Sequence, residues 1–368
     1  MLRINLPSVL AALLLAPALT HAQAPAAVGA AFSMTNATAG NEIVAFDRDA
    51  QGLLTQVNSF ATNGMGTGQA IASQGSIIMS KDGKHLLAVN AGSDEVTLFG
   101  VTGSTLQVQD KVASGGSMPV SLTLHDDTLY VLNAGSPNNI TGFTLTQQDK
   151  LVAIPNSTRP LSASDTGPGQ VAWNPSGQLL LVTEKLTDTI DWFAMDPSTD
   201  IAVTAEAKPS SNRTPFGVAF RGAHHFFAAE ANMGQADKGS VSGYGLRQAA
   251  LWPQTSVSTT ETSTCWAAAT PDKKFLYVTN TMSDSVTGFR EGPQATLQIL
   301  DPTGVTATTG AEPSDIATTR NSKLLYVLNG GDGTISGFSI DGTSGALTSL
   351  GPAVSGLPVT GAAGLAVR

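Results

Sequence analysis

GPGQVAWNPSGQLLLVTEKLTDTIDWF, residues 167–193, contains most of one structural unit. GQVAW is a short apolar stretch led by glycine. NPSG suits a tight turn, because Asn, Pro, Ser and Gly each favour turn geometry. LLLVTE is a strand that closes on a polar residue, and KLTD is a second turn. TIDWF alternates and ends in an aromatic, as a half-buried strand does. Together they predict an antiparallel meander with its shortest, most glycine-rich strand first.

The same pattern recurs along the chain. FSMTNATAGNEIVAF (32–46), LLAVNAGSDEVTLF (86–99), LYVLNAGSPNNITGF (129–143), FFAAEANMGQADKGSVSGY (226–244), FLYVTNTMSDSVTGF (275–289) and LLYVLNGGDGTISGF (324–338) are six further hairpins. The polar residue closing the first strand of each hairpin is Asn36, Asn90, Asn133, Glu184, Glu230, Asn280 and Asn329 in turn. These recur 43 to 54 residues apart, the period of a four-stranded propeller blade. A short strand precedes six of the hairpins, and a polar outer strand follows all seven. The missing innermost strand is GAAGLAVR (361–368) at the C-terminus. The fold class is therefore all-β: a seven-bladed β-propeller with four antiparallel strands per blade. The C-terminal strand joins the N-terminal blade, which removes a free sheet edge. Phe46, Phe99, Phe143, Phe193, Tyr244, Phe289 and Phe338, one per blade, are expected to pack between sheets.

Residues 1–24 precede this pattern. Arg3, the apolar run Val9 to Leu19 and the small residues Ala22 and Ala24 read as a secretory signal peptide, too short to span a membrane. Residues 25–368 form the single propeller domain, expected to be periplasmic or secreted and monomeric. Of 368 residues, 19 are basic and 28 acidic, a formal charge of −9. So acidic a chain is a poor binder of nucleic-acid phosphates. Cys265 is the only cysteine, which excludes an internal disulfide. It reads as a small buried strand residue. No Cys or His cluster has zinc spacing, and no nucleophile elbow or phosphate loop occurs. No metal or cofactor is expected.

Strand direction locates a candidate site. In each blade, the loop entering the innermost strand and the turn between the second and third strands share one face. Closed β folds often place ligands at such a mouth. The repeat breaks there at the adjacent Glu184 and Glu230. Two close carboxylates can split their pKa values and divide acid and base roles. Gln170, Phe216, Trp266 and Asp315 lie at inner-strand starts, and Arg159, Asp165 and Arg213 on entering loops. The hairpin loop 231–240 is the longest of its series and is a second candidate for recognition.

These repeats resemble the seven-bladed propeller lactonase family, which includes bacterial 6-phosphogluconolactonase and fungal carboxymuconate cyclase. The resemblance spans about residues 28–368. It is clearest over 167–193 and in FLYVTN (275–280), similar to YVTN-type repeats. In phosphogluconolactonase-like members the matching stretch begins GPRH and carries a glutamate, which here is Glu184. Gly169 stands in place of the arginine and Gln170 in place of the histidine. A further family histidine falls near Pro119 or Val120, and a further arginine at Thr281. The resemblance implies a lactone hydrolase or related ring-opening enzyme. Loss of the cationic positions points to a non-phosphorylated substrate. Glu184 would then act as general base for water, with Gln170 and Arg213 steadying the oxyanion. The alternative is a non-catalytic propeller that binds a glycan, peptide or protein partner at the same mouth.

Overall fold

The computed structural model describes residues 26–247 and 250–368; the signal-peptide expectation falls outside them. Seven antiparallel sheets surround one axis. Blade 1 holds Gly29–Met34, Glu42–Arg48 and Leu54–Ala61, with Ala363–Val367 as its innermost strand. Blades 2 to 7 follow in chain order. Their innermost strands are Ile77–Met79, Pro119–His125, Pro168–Trp173, Pro215–Phe220, Thr264–Ala269 and Pro313–Thr318. Each contacts its neighbours in order, and Ala363–Val367 closes the circle between blades 7 and 2. Closure runs through the pairs Ala31↔Val367, Phe32↔Ala366 and Met34↔Ala363, as the C-terminal sequence suggested. Among the described residues no helix is long and apolar enough to cross a membrane.

The core lies between the blades. Phe46, Phe99, Phe193 and Phe289 are fully buried there, and Phe143, Tyr244 and Phe338 nearly so. The tyrosine of each LYV triplet adds a polar stitch. Tyr130, Tyr277 and Tyr326 donate their hydroxyls to the carbonyls of Asp200 (3.2 Å), Gly345 (2.7 Å) and Gly52 (2.6 Å), each in the outer turn of the next blade. A buried phenol requires such a partner.

The structure differs from the sequence expectation in two details. The outer strand of blades 3, 4, 6 and 7 is broken into two short pieces, both paired to the third strand. Pro155, Pro302 and Pro352 lie in three of these breaks; proline lacks the N–H that a ladder needs. In blade 1, the residue in register with Glu184 and Glu230 is Met34, not Asn36: it forms the terminal pairs with Ala363 and Ile43. Asn36 lies two residues further on, at a left-handed φ of 50°.

A register shift recurs near the start of the inner strand in blades 1 and 3 to 7, for instance between Pro168 and Gln170. A bulge of this kind re-aims side chains. Here it turns Ser121, Gln170 and Asp315 onto the inner strand of the following blade. They accept the N–H groups of Val171 (3.1 Å), Val218 (2.6 Å) and Leu365 (3.0 Å) respectively.

Candidate active site

The expected mouth is occupied by the chain itself. The loop from blade 1 to blade 2 (62–76) crosses the axis before the strand Ile77–Met79 begins. Gln74 reaches blade 6, where its amide donates to Ala267 O (2.7 Å) and accepts from Ala267 N (3.1 Å). Gln74 N donates to Gly169 O (3.0 Å) and Trp266 Nε1 to Ser73 O (3.2 Å). Gly217 makes room for this plug: a Cβ there would overlap Gln74 Oε1. Beside the plug, Phe216 packs on Trp266 with ring centroids 4.7 Å apart. Lys185 Nζ lies over the Phe216 ring and binds Ala72 O. Burial pulls Lys185 down to about 8 and pushes the Cys265 thiol up to about 11. A thiol so shifted is inert at neutral pH.

Below the plug the channel encloses about 380 Å³, lined by Gln74, Gln170, Asp315, Thr123 and Thr318 together with apolar side chains. Asp315 is buried. Its carboxyl accepts from Ile316 N (2.8 Å) and Leu365 N (3.0 Å), and desolvation raises it to about 7. Phe216, Trp266, Gln170 and Asp315 thus gather around the axis as the strand directions required. The plug lies among them.

The two glutamates have different surroundings. Glu230 is fully buried and accepts six hydrogen bonds: from Ser210, Ser240, Ser242, Tyr244 and both nitrogens of Asn212. Its acceptor capacity is used within its own blade and entering loop. Glu184 is equally buried, but its neighbour across the hairpin is Asp191. Ser162 N–H is shared between Glu184 Oε1 (3.1 Å) and Asp191 Oδ2 (3.0 Å). Ser162 Oγ and Thr187 Oγ1 donate to Glu184 Oε2 at 2.5 and 2.6 Å. Burial, together with the adjacent Glu184 charge, holds Asp191 well above the usual carboxylate range. Two carboxyls in contact cannot both ionise readily, so the pair retains one proton.

Comparison across the blades shows what is unusual here. Two residues past the hairpin partner of the ring position stand Thr97, Thr141, Ser242, Thr287 and Ser336. In blades 2, 6 and 7 this hydroxyl accepts the ring asparagine's amide: Asn90 to Thr97, Asn280 to Thr287, Asn329 to Ser336, each at 2.9 Å. In blade 5 Ser242 donates to Glu230. Blade 4 alone has an acid at both places, Glu184 and Asp191. The sequence reading missed Asp191, Ser162 and Gln74. The signal for Asp191 was present in IDW, where blades 2, 3, 5, 6 and 7 read VTL, ITG, VSG, VTG and ISG and blade 1 reads VAF. Gln74 sits in a loop of small polar residues that carries no pattern.

None of the other candidates is hydrogen-bonded to this pair. Arg213 Nε is ion-paired with Asp188 at 3.0 Å. Gln170 is turned onto Val218. Arg159 donates to the carbonyls of Asn156 and Thr158. Asp165 is exposed on the loop beside Ser162. In loop 231–240, Asn232 ties the loop to itself through Lys238 O (2.6 Å). Thr281, at the family's arginine position, donates to Pro313 O (3.0 Å).

The molecule is thus a seven-bladed β-propeller with a buried two-carboxyl centre on its loop-bearing face. A family model described as a lactonase with a seven-bladed beta-propeller matches residues 38–159 and 243–360, and the chain belongs to that family. No curated protein matches. Among solved structures, a Bacteroides fragilis protein provisionally assigned as a 6-phosphogluconolactonase is 20% identical. It covers 96% of this chain and 100% of its own, with a TM-score of 0.72. The periplasmic gluconolactonase PpgL of Pseudomonas aeruginosa is 15% identical, covering 92% and 98%, with a TM-score of 0.72. A Lactobacillus plantarum protein is 14% identical, covering 92% and 99%, with a TM-score of 0.75. At these identities the likeness is one of fold.

Proposed function

We propose that the protein is an exported lactonase that opens non-phosphorylated lactones with the Glu184–Asp191 pair. The observation that carries this reading is the contact between two acids in blade 4, which share the Ser162 N–H, at positions where blades 2, 6 and 7 use an amide and a hydroxyl. A structural hairpin has no need of it, and burying two carboxyls together is costly. Acid–base chemistry does need such a pair, with one carboxyl ionised and the other protonated near neutral pH. Glu184, which receives the hydroxyl hydrogen bonds, is the base, and Asp191 retains the shared proton.

The charge around the pair favours an uncharged substrate. Asp165 and Asp188 stand nearby, Arg213 is held by Asp188, and Lys185 is held at the plug. Arg213 and Lys185 are thus engaged and do not offer themselves to a phosphate. The leader-like residues 1–24 and the periplasmic gluconolactonase among the structural neighbours support an exported enzyme.

One observation favours a second reading, a non-catalytic propeller that binds a glycan, peptide or protein: the plug fills the axial mouth that a family substrate would enter. A pH-stat panel of aldonolactones, aliphatic lactones and 6-phosphogluconolactone separates the readings. Turnover of non-phosphorylated lactones, lost on the order of 100-fold or more in Glu184→Gln, supports the lactonase. No turnover of any lactone overturns it and favours the binding role.

A further inference from the structure

We infer that Ser162 is a covalent nucleophile activated by Glu184, making Ser162, Glu184 and Asp191 a serine–carboxyl–carboxyl triad. The inference rests on the lactonase reading and changes its mechanism, from direct attack by water to an acyl-enzyme.

Four observations lead to it. First, Glu184 and Asp191 are fully buried and Ser162 is exposed, so Ser162 is the first of the three that a substrate reaches. Second, Ser162 Oγ lies 2.5 Å from Glu184 Oε2, the nucleophile-to-base contact that covalent catalysis requires. Asp191 lies against Glu184, sharing the Ser162 N–H with it, in the place of the third group that orients a base. Third, Ser162 departs from the repeat. The residue whose N–H meets the hairpin turn from the entering loop is Thr62, Ser114, Ser210, Thr259 and Thr309 in five loops, but Leu161 here and Leu357 in the last loop, where Pro358 rather than a serine follows. Leu161 is buried, and Ser162 is the next residue, on the exposed side. Fourth, the N–H groups of Ala163, Ser164 and Asp165 have no partner among the described residues. Backbone donors directly after a nucleophile are a common oxyanion site. Leu186, 75% exposed and one residue from Thr187, offers an apolar contact for an alkyl-substituted ring.

The step balances. The Ser162 hydroxyl proton moves to Glu184 as Oγ attacks the lactone carbonyl carbon. The ring C–O bond breaks, and the departing alkoxide takes the proton from Glu184. Water then attacks the acyl carbon as Glu184 takes its proton; the acyl C–Oγ bond breaks, the proton returns from Glu184 to Ser162 Oγ, and the hydroxy acid is released. No metal, oxidant or cofactor is needed.

The test treats the full-length mature protein with a fluorophosphonate, which forms a stable phosphonyl ester with an activated serine. Intact mass and peptide mapping read the result, alongside the lactone panel. The expected result is one adduct, on Ser162. It should be absent in Ser162→Ala and slowed on the order of 100-fold or more in Glu184→Gln, with turnover falling in parallel. If Ser162→Ala is unlabelled yet still opens lactones while Glu184→Gln does not, the nucleophile is overturned and direct attack by water survives. If Ser162 is labelled but no lactone is opened, the triad stands and the lactonase reading fails. No adduct on Ser162 in the folded wild type overturns the triad whatever the panel shows. A circular-dichroism melt of each variant confirms folding.

Discussion

Replacing Gln74 with alanine should loosen the plug at a measurable cost. The Gln74 amide is paired to both backbone groups of Ala267, at 2.7 and 3.1 Å. Truncation leaves one donor and one acceptor of an inner strand unpaired. Each such group costs about 1–3 kcal/mol, so the upper bound is roughly 6 kcal/mol. Water from the 380 Å³ channel below can partly replace the lost bonds, which brings the expectation to about 2–3 kcal/mol. A chain of this length unfolds with an entropy of roughly 0.7 kcal/mol/K, so Tm should fall by about 3–4 °C. Differential scanning calorimetry reads the shift, and amide exchange at Ala267 reads its origin. Gly217→Ala adds a check, because its Cβ would overlap Gln74 Oε1. The double variant should therefore lose less than the sum of the two single changes. An unchanged Tm with unchanged exchange at Ala267 would refute the bridge across the axis.

Three other perturbations probe the frame. Deleting residues 363–368 removes the inner strand of blade 1, the Leu365 N–H bonded to Asp315 and the burial of Leu365. Summed, these cost roughly 6–10 kcal/mol, comparable to a whole domain's stability, so the truncated chain should fail to fold cooperatively; an unaltered melt would disprove closure. Tyr326→Phe strips the donor from Gly52 O and should cost about 1–2 kcal/mol by urea denaturation, with no change in m-value. Asp315 is raised in the fold to about 7, so between its unfolded value and pH 7 the native state binds the extra proton. Stability contributed by Asp315 is therefore complete at low pH and lost as pH rises toward 7, by up to about 4 kcal/mol. Asp315→Asn should flatten that part of a Tm–pH curve, and an identical slope in the variant would count against the buried acid.

The architecture was legible because a propeller repeats its pattern seven times, so each hairpin checks the others. Even closure by GAAGLAVR followed from counting strands. Errors arose where one blade departs from its siblings. FSMTN offered an asparagine two residues beyond the ring position, and only strand pairing shows that Met34 occupies that place. The continuous outer strands failed at Pro155, Pro302 and Pro352, where no N–H is available to extend the ladder. At the site, Glu184 stood out because a carboxylate replaced an amide. Asp191 was hidden because an acid on a strand reads as an exposed polar face. Ser162 and Gln74 gain meaning only from what they touch, and loop residues bring together parts of the chain that no periodicity links. Glu230 looked like the partner of Glu184 and instead holds its own blade together, with every acceptor filled.

The most direct measurement for the carboxyl pair is the pH–rate profile of lactone opening by wild type and by Asp191→Asn. With Asp191 carrying the shared proton, the wild-type rate should change well above the usual carboxylate range, as Asp191 gives that proton up. The expected result is that Asp191→Asn abolishes this upper transition and lowers the plateau. Superimposable profiles for the two proteins, or no lactone opening by wild type at any pH, would contradict a reacting centre at Glu184 and Asp191.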